Sequence, residues 1–274
     1  MSRFFVTLLS MLTVTTSLGF ASARADTFIT VASTTSTANS GLFDYLLPKF
    51  TAKTGIDVRI VAVGTGQAIR LAKNGDADVL FVHHRPSEEA FVKEGFGEKR
   101  FGVMYNDFVI FGPNDDPAGV AACASAAGAL GRISNGQHSF VSRGDDSGTH
   151  KREKSLWMAT GIKDGKPIGS WYRSTGSGMG ATINMAAAMK AYALADRGTW
   201  ISFKNKQDLK IVCEGDAKLF NPYGVILVNP AKHPHVKAKE GQKFIDWLVS
   251  LEGQETIGGF TLEGQTLFTP STKN

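Results

Sequence analysis

The stretch Phe28-Ile29-Thr30-Val31-Ala32-Ser33-Thr34-Thr35-Ser36-Thr37 contains the pattern on which the fold prediction depends. Its first five residues, 28–32, predict a strand, and five consecutive hydroxyl residues, 33–37, follow directly. A helix that stops at Gly55 is predicted next by apolar residues at helical spacing, namely Leu42, Phe43, Leu46, Leu47 and Phe50. The stretch therefore predicts a strand that runs through a hydroxyl-rich turn into a helix.

The alternation of strands and helices continues downstream of this stretch. Val58–Val63 predicts a second strand, Gln67–Lys73 a short helix and Val79–Val82 a third, fully apolar strand. Ser87 is predicted to cap the helix that follows. Such repetition is typical of a parallel sheet with helices on both faces, so the predicted fold class is α/β.

A second α/β block is predicted to follow a break in the chain. The apolar stretch 103–111 ends in the turn residues 112–117, which mark the first crossing between domains. The predicted contents of the second block are a helix over 118–130, a strand over 139–141, a helix after Ser147, a helix over 180–194, and the apolar segments 199–203 and 209–212.

The chain is then predicted to return to the first block. The turn at 221–224 precedes the strand Val225–Val228, and an amphipathic helix around 244–251 follows. The prediction is therefore two lobes, with residues 26–114 and 223–274 in lobe 1 and residues 115–222 in lobe 2. Two crossings make a hinge, and ligands of open α/β sheets bind at strand carboxyl ends, so the cleft between lobes is the predicted ligand site.

The first 25 residues resemble a cleaved signal peptide. Arg3 precedes an apolar run, and Ala23-Arg24-Ala25 fits the small-x-small cleavage rule. The 30 basic residues become 28 without Arg3 and Arg24, against 25 acidic ones, so the mature net charge is +3. This weak, diffuse charge argues against nucleic-acid binding and is compatible with a small anionic ligand.

The two cysteines, Cys123 and Cys213, fit either a disulfide or two buried thiols. An exported protein with an even number of cysteines permits the bridge, but the sequence alone does not give their distance. The adjacent histidines His83 and His84 are not accompanied by further ligands at metal spacing. We therefore expect no metal site or cofactor, and interpret these histidines as part of a solvated loop.

The stretch 143–150 has the composition of an oxyanion-binding turn. Arg143 can bind two ligand oxygens, and Ser147 and Thr149 add hydroxyls. The backbone N–H groups of Gly148 and Thr149 lie where the predicted helix begins, at the positive end of its dipole. The competing interpretation is a capped helix with a surface arginine, and the convergence of arginine, acid and cap favours the anion site.

Two further turns are predicted at the same edge of the first sheet. The hydroxyls of 33–37 can donate to an oxyanion, although one or two of them could simply cap a helix. Gly64-Thr65-Gly66 allows close backbone approach and adds the Thr65 hydroxyl, although a tight turn explains it equally well. The turn 177–180 is interpreted as a glycine-rich connection, and Asp196-Arg197 as a local ion pair.

These motifs together resemble the periplasmic tungstate-binding proteins of ABC-type uptake systems. The resemblance covers the mature chain and rests on the hydroxyl cluster at 33–37 and on five further motifs, at 64–66, 143–150, 178–182, 196–199 and 221–224. It implies two lobes that close on an oxyanion, a periplasmic location, delivery to a membrane permease driven by an ATPase, and no catalysis. We expect such a receptor to be a monomer.

The resemblance also implies which residues bind the ligand. They are Thr34, Thr35, Ser36 and Thr65 from lobe 1, and Arg143, Ser147, Gly148 and Thr149 from lobe 2. The family's hydroxyl run reads Thr-Thr-Thr-Ser, whereas this chain begins it with Ser33, so the role of Ser33 stays open.

The identity of the oxyanion depends on Asp145. Phosphate keeps a proton near neutral pH and needs a carboxylate acceptor, whereas tungstate, molybdate and sulfate are unprotonated dianions that a facing carboxylate would repel. An Asp145 that points at the ligand favours phosphate, and one that holds Arg143 favours tungstate. The leading hypothesis is a tungstate receptor that also takes molybdate. The alternatives are a phosphate receptor and a small hydrolase that uses Ser147 and His150.

Overall fold

The structure is a computed structural model that describes residues 27–121 and 123–271. The predicted signal peptide, residues 1–25, lies outside the described residues. The described strands are β1 (Phe28–Thr34), β2 (Asp57–Val63), β3 (Val79–Val82), β4 (Gly97–Pro113), β5 (Phe140–Ser142), β6 (Tyr172–Ser174), β7 (Ala193–Asp196), β8 (Leu209–Cys213), β9 (Phe220–Val228), β10 (Thr261–Leu262), β11 (Gln265–Thr266) and β12 (Thr269–Pro270). The described helices are α1 (Thr35–Asn39), α2 (Leu42–Thr54), α3 (Thr65–Asn74), α4 (Arg85–Lys93), α5 (Ala126–Asn135), α6 (Gly148–Ala159), α7 (Met179–Met189), α8 (Arg197–Ser202), α9 (Ala238–Val249) and α10 (Leu251–Gly258).

The main sheet combines parallel and antiparallel strands. β1 pairs in parallel with β2 on one side and with β3 on the other, as the strand and helix alternation predicts. β9 then pairs antiparallel with β3, and β4 antiparallel with β9, so the order is β12-β4-β9-β3-β1-β2. The carboxyl ends of β1, β2 and β3 therefore meet at one edge, where α1, α3 and α4 begin.

The long strand β4 belongs to both halves of the molecule. Its first part pairs with β9, and its last residues, from Phe108 to Pro113, pair with β7 and β8. Where β4 changes its pairing partner from β9 to β7 and β8, Asn106 of β4 lies opposite Asn221 of β9. β5 and β6 form a separate parallel pair next to this second group of strands.

The helices cover these strands with aromatic and aliphatic side chains. Phe50 of α2 packs edge-on against Phe244 of α9, with 5.1 Å between ring centroids, so the carboxyl-terminal helix packs on the first sheet as predicted. A second core forms around Trp157 of α6, which packs against Phe140 of β5 at 5.1 Å. Apolar burial of this kind supplies most of the stabilisation of such a fold.

Several predicted boundaries are wrong. The predicted turn at 221–224 is part of β9, because these residues pair with β4. α4 begins at Arg85, ahead of Ser87, because Pro86 suits the first helical turn, and His84 occupies the cap position. α5 begins only at Ala126, since Ser125 is its cap, rather than near residue 118. α7 ends at Met189, where Lys190 adopts a left-handed conformation (φ 48°), and the chain then enters β7.

A disulfide joins Cys123, in the loop before α5, to Cys213 at the end of β8, with 5.4 Å between their Cα atoms. It closes a segment of the chain that includes α5, α6, α7 and β5 to β8. Within the described ranges, no helix reaches the combination of length and hydropathy that a membrane span requires.

Candidate anion site

The first side of the site is built where β1 runs into α1. Ser33 and Thr34 are the last residues of β1, and Thr35 opens the helix. Ser33 Oγ donates to the carbonyl oxygen of Phe81 at 2.7 Å, so this hydroxyl ties β1 to β3. Thr34 Oγ1 caps α1, accepting from the backbone N–H of Thr37 at 3.3 Å. Ser33 therefore has a structural partner, whereas the remaining hydroxyls surround the start of α1.

Thr65 provides the second contribution from this edge of the sheet. Gly64 is extended and precedes α3, so Thr65 is the first helical residue, and its side chain is fully buried. Its Oγ1 accepts a hydrogen bond of 3.0 Å from the backbone N–H of Gly148, the first residue of α6. This bond joins two turns that lie 83 positions apart in the sequence.

The opposite side of the site is the turn between β5 and α6. Gly144 has a φ of 62°, and a Cβ there would lie 1.6 Å from Ser174 Oγ, so the turn requires glycine. Ser147 caps α6 by accepting from the His150 N–H at 3.2 Å. Thr149 is 1% exposed, and its Oγ1 has no hydrogen-bond partner. Because buried polar atoms are usually paired, this hydroxyl is an available donor.

Arg143 is buried, and Asp145 holds its guanidinium. Nε and Nη2 of Arg143 donate to the same Asp145 oxygen, Oδ2, at 3.1 and 2.5 Å. The other oxygen, Oδ1, accepts from the Ser147 N–H at 3.2 Å. Both oxygens of Asp145 are thus used inside its own turn, which fixes the orientation of the arginine.

A cavity of about 420 Å³ lies between the two sides. It is bordered by residues from both, namely Thr35, Ala62, Val63, Gly64, Gly66, Gln67, Arg70, Asp145 and Asp146. A larger surface groove of about 620 Å³, lined by residues such as Lys163 and Ile168, shares none of the predicted anion-binding residues. The smaller cavity is bordered by Thr35 and Asp145 and lies between the turns that carry the other predicted ligand residues, so its position relates it to the anion site.

His83 belongs to this site, and its interpretation as part of a solvated loop is wrong. It is 4% exposed, and its ring nitrogens lie 3.0 Å from Ser36 Oγ and 3.0 Å from Asn221 Oδ1. Burial lowers the pKa of His83, so the ring is neutral. The signal in the sequence was its position directly after an apolar strand at the same sheet edge as 33–37. The neighbouring His84 is partly exposed, and burial lowers its pKa to about 4.

Glu153 is a second residue that the sequence did not single out. It lies on α6, and burial raises the pKa of its carboxyl to about 7. Its oxygens accept from Ser142 Oγ at 2.8 Å, Trp157 Nε1 at 3.1 Å and the Tyr172 hydroxyl at 2.8 Å. It therefore ties α6 to β5 and β6, the two strands that flank Arg143.

Other predicted pairings take different partners. Arg197 pairs with Asp107 and Glu214 rather than with Asp196, which caps α8 by accepting from the Thr199 N–H at 2.9 Å. The turn before α7 lies against the anion site, since Thr175 Oγ1 donates to the carbonyl of Arg143 at 3.1 Å. 

The Ser147 and His150 side chains do not form a nucleophile and base pair. Ser147 Oγ caps the backbone of His150, while His150 Nδ1 accepts from the backbone N–H of Asp146 at 3.1 Å. The described contacts thus give both residues roles in shaping the turn, which is unlike the serine and histidine geometry of hydrolases.

The fold and the paired turns are those of a two-lobed binding protein. Residues 21–252 match the PBP superfamily domain, and the chain therefore belongs to the PBP superfamily. It is 49% identical over 247 residues to the tungstate-binding protein TupA of Peptoclostridium acidaminophilum, covering 89% of this chain and 85% of that protein. It is 42% identical over 237 residues to TupA of Campylobacter jejuni, covering 85% and 87%.

Solved structures agree with these relatives. The tungstate-binding protein TupA from Desulfovibrio alaskensis G20 gives a TM-score of 0.78 at 49% identity, over 90% of this chain and 100% of that chain. The tungstate ABC transporter structure from Geobacter sulfurreducens gives 0.78 at 48% identity, over 85% and 98%. Within the superfamily, the chain belongs to the family of these tungstate-binding proteins, which confirms the resemblance.

Proposed function

We propose that this protein is the extracytoplasmic receptor that captures tungstate, with molybdate as a second ligand, and delivers it to an ABC importer. The observation that carries the proposal is the orientation of Asp145. Its two oxygens accept hydrogen bonds from Arg143 and from the Ser147 N–H, so it orients the arginine instead of offering an acceptor for a ligand proton. An unprotonated dianion needs this arrangement, because a carboxylate turned toward it would be repulsive.

In this proposal neutral donors and one arginine surround the oxyanion. The ligand-binding residues are Thr34, Thr35, Ser36, Thr65, Arg143, Ser147, Gly148 and Thr149. The unpartnered buried hydroxyl of Thr149 supports the assignment, since an oxyanion would accept from it. The hydrogen bond from the Gly148 N–H to Thr65 Oγ1 also supports the assignment, because it places these two groups, one from each side of the site, 3.0 Å apart.

The two lobes of the proposal follow the course of β4 and β9. Residues 26–114 and 223–274 form lobe 1, and residues 115–222 form lobe 2. β4 and β9 are then the two connecting strands, and their pairing at Asn106 and Asn221 is the proposed hinge. Closure about this hinge would sequester the oxyanion between the turns.

The receptor is proposed to act in the periplasm, after removal of residues 1–25, as a monomer that binds no nucleic acid. Its partners would be the permease and ATPase of an ABC importer, a proposal that is supported by the similar structure named as a tungstate ABC transporter. It would catalyse no reaction, since the geometry of Ser147 and His150 offers no activated nucleophile.

Calorimetric titration of the protein with tungstate, molybdate, sulfate and phosphate tests the proposal. Tungstate is expected to bind most tightly, followed by molybdate, and phosphate as the tightest ligand would overturn it. The Asp145→Asn variant separates the alternatives further. It should keep the order of the four anions if the carboxylate only orients Arg143, whereas a phosphate receptor would lose its ligand. An assay with ester substrates should show no turnover.

A further inference from the structure

His83 links the anion site to the strands that connect the two lobes. Its Nε2 lies 3.0 Å from Ser36 Oγ in α1, and its Nδ1 lies 3.0 Å from Asn221 Oδ1 in β9. Asn221 Nδ2 in turn donates to Asn106 Oδ1 in β4 at 2.7 Å. All four side chains are buried, so the chain Ser36–His83–Asn221–Asn106 is a continuous hydrogen-bonded path shielded from solvent.

The packing around His83 holds its ring in one place. Tyr223 of β9 stacks on the imidazole with 4.8 Å between centroids and an angle of 28°. On another side, a Cβ added at Gly148 would lie 2.9 Å from His83 Cε1, so the start of α6 touches the ring edge. A ring confined in this way can exchange hydrogen-bond roles more readily than it can move.

The hydrogen-bond roles along the path follow from the number of protons. A neutral imidazole has one donor and one acceptor nitrogen. Asn221 uses its amide N–H to reach Asn106, so its carbonyl oxygen accepts from His83 Nδ1–H. His83 Nε2 is then an acceptor, and Ser36 must donate to it. In this arrangement the only proton of the Ser36 hydroxyl is directed away from the ligand.

Binding of an oxyanion by Ser36 requires the opposite arrangement. Ser36 can donate to the ligand and keep His83 as a partner only if Nε2 carries the proton and donates to Ser36 Oγ. Nδ1 of His83 then becomes the acceptor and needs a hydrogen bond from the amide N–H of Asn221. The amide oxygen of Asn221 then accepts from the amide N–H of Asn106. The charged groups that act on the ring are Asp196, which favours its protonated form, and Arg143 and Arg152, which disfavour it.

We propose that His83 is a positioning residue for the oxyanion, which reverses its tautomer when Ser36 donates to the ligand and so transmits occupancy to Asn221 and Asn106. The inference rests on the proposed function for the identity of the ligand. It extends that function by joining the ligand to the side chains of both connecting strands. Ligand binding and the hydrogen bonding of these strands are then coupled through one ring.

The test is nitrogen NMR on the protein labelled with ¹⁵N-histidine, with the His83→Phe variant to identify the ring signals. Without ligand, Nδ1 is expected to be the protonated nitrogen and Nε2 the unprotonated one, and saturating tungstate should exchange them. An unchanged tautomer in saturated protein, or a doubly protonated ring, would overturn the inference. If tungstate does not bind, the proposed function fails, and the same spectra with the tightest of the four anions test the tautomer separately.

Two variants show whether His83 acts through Ser36. In Ser36→Ala the tautomer should no longer respond to saturating ligand, and a response that persists would contradict the path. Affinity should fall about tenfold in Ser36→Ala and about tenfold in His83→Phe, which keeps a ring against Tyr223, as expected for one lost hydrogen bond. The double variant should be no weaker than either single one, whereas additive losses would mean that His83 acts independently. If His83→Phe does not fold, replacing each of the other five histidines in turn assigns the His83 ring signals by elimination, and the wild-type spectra then decide.

Discussion

At the level of single residues, Arg143 is oriented before it meets a ligand. Its guanidinium is 3% exposed and held by two hydrogen bonds to Asp145, whose own orientation is fixed by the Ser147 N–H. An arginine fixed in this way loses little side-chain entropy on binding, which favours affinity. The remaining face of the guanidinium is the charged part of the proposed site.

Replacement of Arg143 by alanine should weaken tungstate binding by at least about 100-fold, because charge-assisted bonds in a closed cleft are strong and Asp145 is left unpaired. Calorimetric titration measures the change. Arg59→Ala removes the same charge from an exposed position on β2 and is the matched control. Near-equal affinities of the two variants would contradict the assignment of Arg143.

Glu153 should make the stability of the protein depend on pH. Its pKa in the folded chain is about 7, above the value of a free glutamate, so between about pH 4.5 and 7 the folded state retains a proton that the unfolded state has lost. The stabilisation that comes with a protonated Glu153 is fully present below about pH 4.5 and is lost as the pH rises through about 7.

Glu153→Gln removes this titration and keeps a side chain of similar shape. Relative to the wild type, the variant should gain stability between pH 5 and pH 7.5, by up to roughly 3 kcal/mol. Urea denaturation at the two pH values measures the difference, with the exposed Glu98→Gln as control. A variant whose stability difference from the wild type does not change with pH would contradict the role of Glu153.

Single residues also mark the limit of prediction from the sequence. The run 33–37 correctly indicated a hydroxyl-rich turn, but only the pairing of β1 with β3 explains why Ser33 bonds to Phe81. His83 was misinterpreted because its burial depends on Asn221 and Tyr223, which follow about 140 residues later. Such side-chain directions depend on long-range packing, which local patterns do not contain.

At the level of helices and strands, the start of α6 is a point of close approach between the two sides of the site. Gly148 leaves no room for a larger residue, since a Cβ would lie 2.9 Å from His83 Cε1 and 3.1 Å from Thr65 Oγ1. Gly148→Ala should therefore hold the two turns apart and weaken tungstate binding roughly tenfold to 100-fold, which corresponds to 1–3 kcal/mol of overpacking.

Gly131 in α5 provides the control for this substitution, because a Cβ there meets nothing within 4 Å. Gly131→Ala should leave the affinity unchanged and raise the stability by about 0.4–1 kcal/mol, as is usual for glycine in a helix interior. Calorimetry and thermal unfolding of both variants provide the comparison. Wild-type affinity in Gly148→Ala would show that the turns do not need this contact.

Helices and strands were predictable where a local signal marked them. The helix after Ser147 is found where the cap predicts it, and the first three strands lie where apolar runs predict them. The boundary between α7 and β7 was missed, since apolar residues at 185–189 and 191–195 are interrupted only by Lys190. There the left-handed Lys190 ends the helix, and the pairing of β7 with β4 makes the following apolar residues a strand.

At the level of the whole molecule, the disulfide constrains the second group of elements. Cys123 and Cys213 are 90 residues apart, and closing a loop of that length in the unfolded chain accounts for about 4–5 kcal/mol in the chain-entropy treatment. Reduction, or replacement of both cysteines by alanine, should lower the free energy of unfolding by about 2–5 kcal/mol, because residual structure in the reduced unfolded chain offsets part of the entropic value. Urea denaturation with and without reductant measures this.

The tungstate affinity of the double alanine variant should stay within a few-fold of the wild type. The bridge joins the loop before α5 to β8, whereas the proposed ligand residues lie at the end of β1, in α1 and α3, in the turn before α6 and at the start of α6. A large loss of affinity in a folded variant would show that the bridge also shapes the cleft.

The two crossings between the proposed lobes were predicted from turn residues at 112–117 and 221–224, but β4 extends to Pro113 and residues 221–224 lie inside β9. The 17 residues of β4 run from one group of strands into the other without a break. Turn-forming residues do not end a strand whose pairing with a neighbour is favourable, as at 221–224, and a strand that exchanges partners along its length has no compositional signal. The proposed hinge is therefore continuous backbone rather than a loop.

The place of β9 in the main sheet has a consequence for how the chain is made. β9 lies between β3 and β4, yet its residues are synthesised more than 100 positions after those strands begin. Until residue 228 has emerged, β3 and β4 have no common neighbour, and their facing edges stay unpaired. The main sheet can therefore be completed only after the second group of elements has been synthesised, so the first part of the chain exposes unpaired strand edges until then.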